Sequence, residues 1–412
     1  MADEWQLTAL DEALEKLRDA VSWSPVGRET ISLDQAQGRV AAETITAPGD
    51  LPPFSKATMD GYAVRAEDVA GATPNGPALL RVVGEVAMGE PSEVAIGELQ
   101  CAYLPTGAMA PEGADAVVML EDTEPWNDDT VQVRASVKPG ENVLAKGADI
   151  LTGEPVLGQG RLIRPQDIAM FASLGMVEIR VYRRPRVAII STGDELVPPE
   201  AEPESGQVRE TNGYLLAALC RRSGAEPLMI GIAPDDLDTI RQVLAETLPK
   251  CDVVIASGGA SVGEADLVAE AIGELAEPGI FVHGVAMRPG KPTILASIGG
   301  KPVFGLPGHP VSVFVTFRVF VAPLLSELGG SPHADATAQL VTLGADVPSE
   351  QGRDDFVLVM IRQSGEAPDP IALPLLGQSA QLSRLLRAHG LVHIPAESAG
   401  LKQGEQIEVE LI

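Results

Sequence analysis

Hydrophobic positions change their period along this chain, and the changes divide it. Around residues 8–22 apolar residues recur every three or four positions (Leu10, Ala13, Leu14, Leu17, Val21). That is one face of a helix, with Thr8 and Asp11 placed to cap its start. From residue 30 the spacing tightens. Ile31, Leu33, Val40 and Ile45 stand among small and polar residues up to Pro48-Gly49. Apolar runs at 79–86, 101–104, 116–121 and 130–137 are then each closed by turn residues, the pattern of short strands. Pro52-Pro53 imposes an extended segment before the Asp60-Gly61 turn. A helix is expected over 165–175, with Pro at its start and Gly at its end.

Beyond residue 186 strands and helices alternate. Strand candidates lie at 187–190, 228–232, 252–257, 280–286, 293–298 and 302–305. Helical patterns fill 212–222, 237–248, the stretch from 266, and 311–328. This predicts a doubly wound sheet with its loops gathered at one edge. Short strands return at 339–344, 355–362, 391–394 and 407–411, with a helix near 379–388. The expected fold is multidomain α/β plus β: a central doubly wound α/β domain, two smaller mostly-β domains and an elongated linking domain. The boundaries we assign are 1–24 for the N-terminal helix, 25–48 with 144–183 for the linking α+β domain, and 49–143 for the first β domain. The α/β domain takes 184–329 and the C-terminal β domain 330–412.

Three loops rich in Gly and Pro punctuate the α/β region: Ser257-Gly258-Gly259-Ala260-Ser261-Val262-Gly263, Arg288-Pro289-Gly290-Lys291-Pro292 and Gly305-Leu306-Pro307-Gly308-His309-Pro310. Glycine lets backbone N–H groups approach an anion, and a following helix adds a favourable dipole. No Gly-Lys-Ser/Thr follows the first loop, and it lacks the Gly-x-Gly-x-x-Gly pattern. Each loop read alone is also an ordinary strand–helix turn. Lys291 is the best-placed phosphate or oxyanion ligand, with Thr192, Ser261 and Ser312 as further hydrogen-bond donors.

Composition narrows the partners. Asp and Glu number 58 against 30 Lys and Arg, a formal charge of −28. Nucleic acid needs basic surface, so neither it nor an anionic membrane is an expected partner. The three cysteines, Cys101, Cys220 and Cys251, are odd in number and far apart, so they imply no disulfide framework. The acidic Asp3 and Glu4 do not suit a secretory signal, and no unbroken apolar run reaches about 18 residues. A cytoplasmic location is expected. No Cys/His spacing suits zinc. Asp194, Glu195, Asp235, Asp236 and Asp266 are hard oxygen ligands near the glycine loop, which suits Mg²⁺. Asp235, Asp236 and Asp266 also stand where helix caps stand.

Taken in order, the motifs resemble those of the molybdopterin molybdenumtransferase family, homologous to the E-domain of gephyrin. They are Pro53-Phe54 through Asp60-Gly61-Tyr62-Ala63, Pro105-Thr106-Gly107-Ala108, Ser191-Thr192-Gly193-Asp194-Glu195-Leu196, Thr211-Asn212 and the three Gly/Pro loops. The resemblance implies a homodimer of four-domain subunits, with a cleft between the α/β domain and the Asp60–Thr106 region of the second subunit. It implies insertion of molybdenum from molybdate into adenylylated molybdopterin, with release of AMP and use of a divalent cation. By motif it makes Asp60, Thr106, Asp149, Glu195 and Asp266 catalytic. It gives substrate-binding roles to Thr192, Asp194, Ser257, Gly258, Gly259, Ser261, Gly263, Arg288, Pro289, Gly290, Lys291, Pro307, Gly308, His309, Pro310, Ser312, Arg353 and Ser379. Glu195, Asp235, Asp236 and Asp266 would hold the metal. Molybdopterin adenylyltransferase and client molybdoenzymes become possible partners. A molybdopterin adenylyltransferase or a non-catalytic carrier or scaffold stays open as an alternative.

The chain departs from the family pattern at several places. Ala148 replaces a Glu in Gly147-Ala148-Asp149, and an upstream basic pair is reduced to Leu144-Ala145-Lys146. Arg288 stands for Lys, Glu210 for Asp or Ser, and His309 for Asn. These changes point to a divergent paralogue, acting on a particular form of the cofactor or for a particular client.

Overall fold

The computed structural model describes residues 7–258, 266–276, 279–331, 338–362 and 370–412. Gly259, Ser261 and Gly263, expected to bind substrate, lie outside these. Helix α1 spans Leu10–Ala20 and buries Leu10, Ala13 and Leu17. It has no side-chain cap, contrary to the reading of Thr8 and Asp11. The Thr8 backbone instead extends the fold: its N–H donates to Gly284 O (3.1 Å) and its carbonyl accepts from Ala286 N (2.8 Å). The helix can therefore begin only after that bridge.

The central sheet holds β1 (Arg186–Thr192), β2 (Glu226–Ala233), β3 (Val253–Ser257), β4 (Ile280–His283), β5 (Ile294–Ile298) and β6 (Lys301–Leu306). Their spatial order is β2-β1-β3-β6-β5-β4. The first four are mutually parallel, while β5 runs antiparallel to both β6 and β4. The sheet is thus mixed, and only its parallel part is doubly wound. The cause is local: Gly299 and Gly300 both adopt positive φ (58° and 80°), the two-residue turn that folds β5 directly onto β6.

Side chains of the parallel strands alternate between two cores. Val187, Ile189, Val253 and Ile255 face one side with α1 and α2 (Asn212–Arg222). Ala188, Ile190, Val254 and Ala256 face α3 (Leu237–Thr247) and α4 (Leu267–Leu275). The last helix runs as α5 (Pro310–Thr316), a π-helical turn Phe317–Val321 and α6 (Ala322–Leu328). By length and composition Pro310–Leu328 would suffice to cross a membrane, although Arg318 interrupts its apolar run. Its Val313, Val315, Phe317, Phe320, Val321 and Leu324 are fully enclosed in the first core, as a core helix requires.

The remaining sheets frame this domain. Residues 61–133 form a six-stranded sheet with cores around Leu80 and Leu104. Arg28–Ser32 pairs with Glu178–Tyr182 and Ile45–Thr46 with Pro155–Leu157, around Phe171 of the Pro165–Ser173 helix. The C-terminal sheet joins Asp354–Arg362, Gly390–Ile394, Ala338–Leu343 and Gln406–Leu411 with Ile371–Pro374, a strand not expected from the sequence. The helix expected at 379–388 contracts to Ser383–Arg387.

Candidate active site

Strands β1, β3 and β6 end on one edge of the sheet, and their loops meet there. Gly258 follows β3 with φ +105°, and a Cβ at that position would stand 2.2 Å from Thr192 O. Only glycine allows this contact between the β1 and β3 loops. Gly308, after β6, packs next to Gly258: its own Cβ would be 3.9 Å from Gly258 Cα. Asn212, first residue of α2, binds these loops together. Its Nδ2 donates to Ser257 Oγ (3.1 Å) and to Gly308 O (2.8 Å). Glu210, 5% exposed, accepts from Ser191 Oγ (3.0 Å) and from Gly213 N (2.5 Å). Its carboxylate pins the start of α2 to β1. Asn212 and Glu210 were not among the expected site residues. Their signal was the Glu210-Thr211-Asn212 run at the head of a helix that lies in the same α/β half.

Acidic groups collect at the β1 and β2 ends. Asp194 Oδ1 accepts from Asp235 N (3.1 Å). Burial, with Asp194 and Glu195 close by, raises the Asp235 carboxyl above the usual aspartate value. The other expected metal ligands are used elsewhere. Asp236 caps α3, accepting from Thr239 N (2.9 Å) and Oγ1 (2.6 Å), which hold its carboxyl below the ordinary value. Asp266 caps α4 through Ala269 N (3.0 Å), and its Oδ2 lies 3.2 Å from His283 Nε2. Among the described residues no group of three or more His, Cys, Asp or Glu is arranged to hold a metal ion. Asp194 and Asp235, tied by that backbone bond, still offer the one or two carboxylates that Mg²⁺ takes, its other positions being filled with water and phosphate oxygens.

The second Gly/Pro loop sits against the C-terminal domain. Met287–Arg288 pairs in parallel with Asp354 and Asp355. Gly290 (φ +121°) is held down by Thr293 Oγ1 donating to its carbonyl (2.6 Å), and a Cβ there would stand 2.6 Å from Thr316 Cγ2. Pro289 is half-buried, while Arg288 and Lys291 remain exposed. Arg353 spends its charge on Asp355 (3.0 Å) and Glu350 (2.7 Å). Pro307 and Ser312 are buried and Pro310 opens α5. His309 Nδ1 lies 2.8 Å from Ser379 Oγ, and Val311 N donates to Ser379 O (3.1 Å). Two of the expected residues from different domains are thus brought into contact. Arg384 donates to Gln378 O (3.2 Å); burial, then the nearby Arg288, lowers its pKa.

The first β domain carries a second cluster. Asp60 Oδ1 accepts from both Thr106 N and Thr106 Oγ1 (2.7 Å each), which lower its carboxyl below the usual range. Asp149 is exposed, on a backbone held by its N–H to Leu51 O (3.0 Å). Lys146, the remaining basic residue before it, lies 3.5 Å from Asp50. No hydrogen bond or ion pair among the described residues links 49–143 to 184–412. Among the described residues Asp60 and Thr106 thus have no polar tie to the sheet-edge loops of the same chain, and Asp149 belongs to the linking domain.

Three family models match successive parts of the chain. Residues 8–175 match the model for the MoeA N-terminal region (domain I and II), 188–327 that for a probable molybdopterin binding domain, and 341–412 that for the MoeA C-terminal region (domain IV). The chain is 34% identical over 384 residues to molybdopterin molybdenumtransferase 2 of Mycobacterium tuberculosis, covering 92% of this chain and 94% of that protein. It is 32% identical over 402 residues to molybdopterin molybdenumtransferase of Staphylococcus aureus, covering 97% and 94%. A crystal structure of the molybdopterin biosynthesis MoeA protein of Pyrococcus horikoshii superposes with a TM-score of 0.86 at 38% identity, covering 98% of this chain and 99% of that one.

Proposed function

The chain belongs to the MoeA family of molybdopterin molybdenumtransferases, and from that premise we propose that it inserts molybdenum from molybdate into adenylylated molybdopterin and releases AMP. The observation that carries this reading is the meeting of the Thr192, Gly258 and Gly308 loops beside the Asp194–Glu195–Asp235 carboxylates. The glycine backbones accept an anionic, extended substrate at close range, and Arg288 and Lys291 offer charge to its phosphates. Asp194, Glu195 and Asp235 would hold Mg²⁺, which when bound offsets negative charge on the pyrophosphate as it is cleaved.

The chain's own groups prepare the rest. Asn212 fixes the spacing of the β3 and β6 loops, so the substrate meets a preorganised surface. Asp60 stays ionised, being bonded twice by Thr106, and so can accept a hydrogen bond or orient water but not act as an acid near neutral pH. Because no polar link among the described residues joins the Asp60–Thr106 turn to the sheet-edge loops of its own chain, the reading includes a homodimer in which a second copy supplies it. A cytoplasmic setting, with the adenylyltransferase upstream and molybdoenzymes downstream, accords with a substrate and product that must be handed on.

The test is AMP release from adenylylated molybdopterin with Mg²⁺, with and without molybdate, alongside bound molybdenum. Molybdate-dependent AMP release with metal insertion is expected. Tight pterin binding with no AMP release would overturn the transferase reading in favour of a carrier. ATP-dependent adenylylation of molybdopterin by the chain alone would replace it with an adenylyltransferase.

A further inference from the structure

Polar side chains at the carboxyl edge of the sheet are nearly all paired. Ser191 donates to Glu210, Glu210 accepts from Gly213 N, and Ser257 accepts from Asn212. Two buried oxygens break that rule: Thr192 Oγ1 and Asn212 Oδ1 have no hydrogen-bond partner among the described residues. Thr192 is 1% exposed. Buried polar atoms are paired in the great majority of cases, so an orphan at a binding edge points to an absent partner.

The orientation of the Asn212 amide follows from its neighbours. Gly308 O can only accept, so the amide nitrogen must face it, at 2.8 Å. That leaves Oδ1 as a fixed, acceptor-only group. Both orphans border the same junction. Thr192 Oγ1 would be 3.1 Å from a Cβ on Gly258, Asn212 reaches the Gly308 carbonyl, and Gly308 packs on Gly258.

We propose that Asn212 and Thr192 are specificity-determining residues that read the N–H edge of the pterin ring. This rests on the molybdopterin reading above and deepens it. A pterin presents two adjacent donors, the ring amide N–H and the exocyclic amino group. Adenine presents an exocyclic amine with no ring N–H beside it, so paired acceptors favour the pterin half of the adenylylated substrate. A site built to bond donors discriminates strongly against an analogue lacking them, because its own buried groups are then left unpaired.

The decisive variant is Thr192→Val, which keeps shape and removes one hydroxyl that bonds nothing among the described residues. Binding of molybdopterin and of AMP is measured by calorimetry under anaerobic conditions, with thermal unfolding in parallel. The expected result is molybdopterin binding weakened about tenfold or more, AMP binding within about twofold, and a melting temperature equal to or above that of the wild type. The wild type is also expected to prefer a 6-substituted pterin phosphate over the lumazine counterpart, in which oxygen replaces the amino group, and Asn212→Ala to abolish that preference. Should Asn212→Ala fail to fold, the Thr192→Val and pterin–lumazine measurements decide alone. Unchanged molybdopterin binding by Thr192→Val, an equal loss of AMP binding, or no pterin preference in the wild type would each overturn the proposal. Wild-type protein that binds no molybdopterin at all would overturn the substrate reading itself, a distinct result.

Discussion

The two β domains are built from similar material and are attached in opposite ways. The C-terminal domain shares its core with the α/β domain: Leu358 and Leu391 lie in the same cluster as Val187, Ile255 and Phe317. Arg318 of the last helix pairs with Glu410, and His309 meets Ser379. The domain at 49–143 closes two cores of its own and, among the described residues, has no polar link to the α/β domain. One β domain is therefore part of the wall of the sheet-edge site. The other carries the Asp60–Thr106 turn on a separately folded unit. A unit with its own core can be presented to a site in a second molecule without cost to either core.

Cavities test this most forcefully. Leu358→Ala and Leu80→Ala each remove a large buried side chain, 1% and 0% exposed, and each is expected to cost about 2–5 kcal/mol. The calorimetric consequences should differ. Leu358→Ala should lower the transition of the α/β and C-terminal domains together, and Leu80→Ala only a separate transition of 49–143. If Leu358→Ala moves a C-terminal transition alone, the shared core is not energetically shared.

The next contrast is chemical. Asp60→Asn removes the charge from an exposed turn, so stability should change little while AMP release falls on the order of 100-fold. Mixing Asp60→Asn subunits with Lys291→Ala subunits should restore part of the activity when the cleft spans two chains. Failure to complement, with both variants dimeric, would place the whole site within one chain.

The parts of this arrangement that were legible in the sequence are those set by local pattern. Helix Asn212–Arg222 was bounded to the residue because Gly224 stops it and its apolar face repeats regularly. Buried strands β1 and β3 were legible as β-branched runs. Ile371–Pro374 was missed because four residues ending in proline carry too little alternation. The sense of β5 was missed although Gly299-Gly300 announces a hairpin. The Asn212 ties were not legible, since they join positions 45 and 96 residues apart. For Asp236 and Asp266 the cap and metal readings stood side by side, and the cap bonds are what the folded chain forms.

A pH series sharpens the difference between Asp60 and Asp235. The Asp60 carboxyl is lowered on folding. Its contribution to stability is present above the unfolded value, about 3.9, and is lost as pH falls through the lower folded value. The Asp235 carboxyl is raised. Between its unfolded and folded values the native state binds more protons, so stability falls as pH rises through that window. Asp235→Asn should therefore raise the melting temperature slightly at pH 7, with the gain shrinking as the pH is lowered through the carboxylate range. Mg²⁺ should raise the melting temperature of the wild type more than that of Asp235→Asn. Equal shifts would remove Asp235 from the cation site.

The smallest expected effect concerns the seam between the α/β and C-terminal domains. His309 is where the family pattern has Asn, and its Nδ1 faces Ser379 Oγ at 2.8 Å. His309→Asn shortens the side chain and loosens this single contact. The backbone bond from Val311 N to Ser379 O remains, and the shared core around Leu358 is untouched. A loss of no more than about 1 kcal/mol is expected, the worth of one ordinary hydrogen bond. Any functional change should then appear in substrate choice and not in folding. Paired with Ala148→Glu, which restores a carboxylate next to Asp149, the variant separates two ideas about these departures. If turnover and preference among forms of the cofactor both stay as in the wild type, the substitutions are neutral drift on a rigid wall. If preference moves while the melting temperature does not, His309 and Ala148 tune specificity from two places, the seam of the α/β domain with the C-terminal sheet and the linking domain beside Asp149.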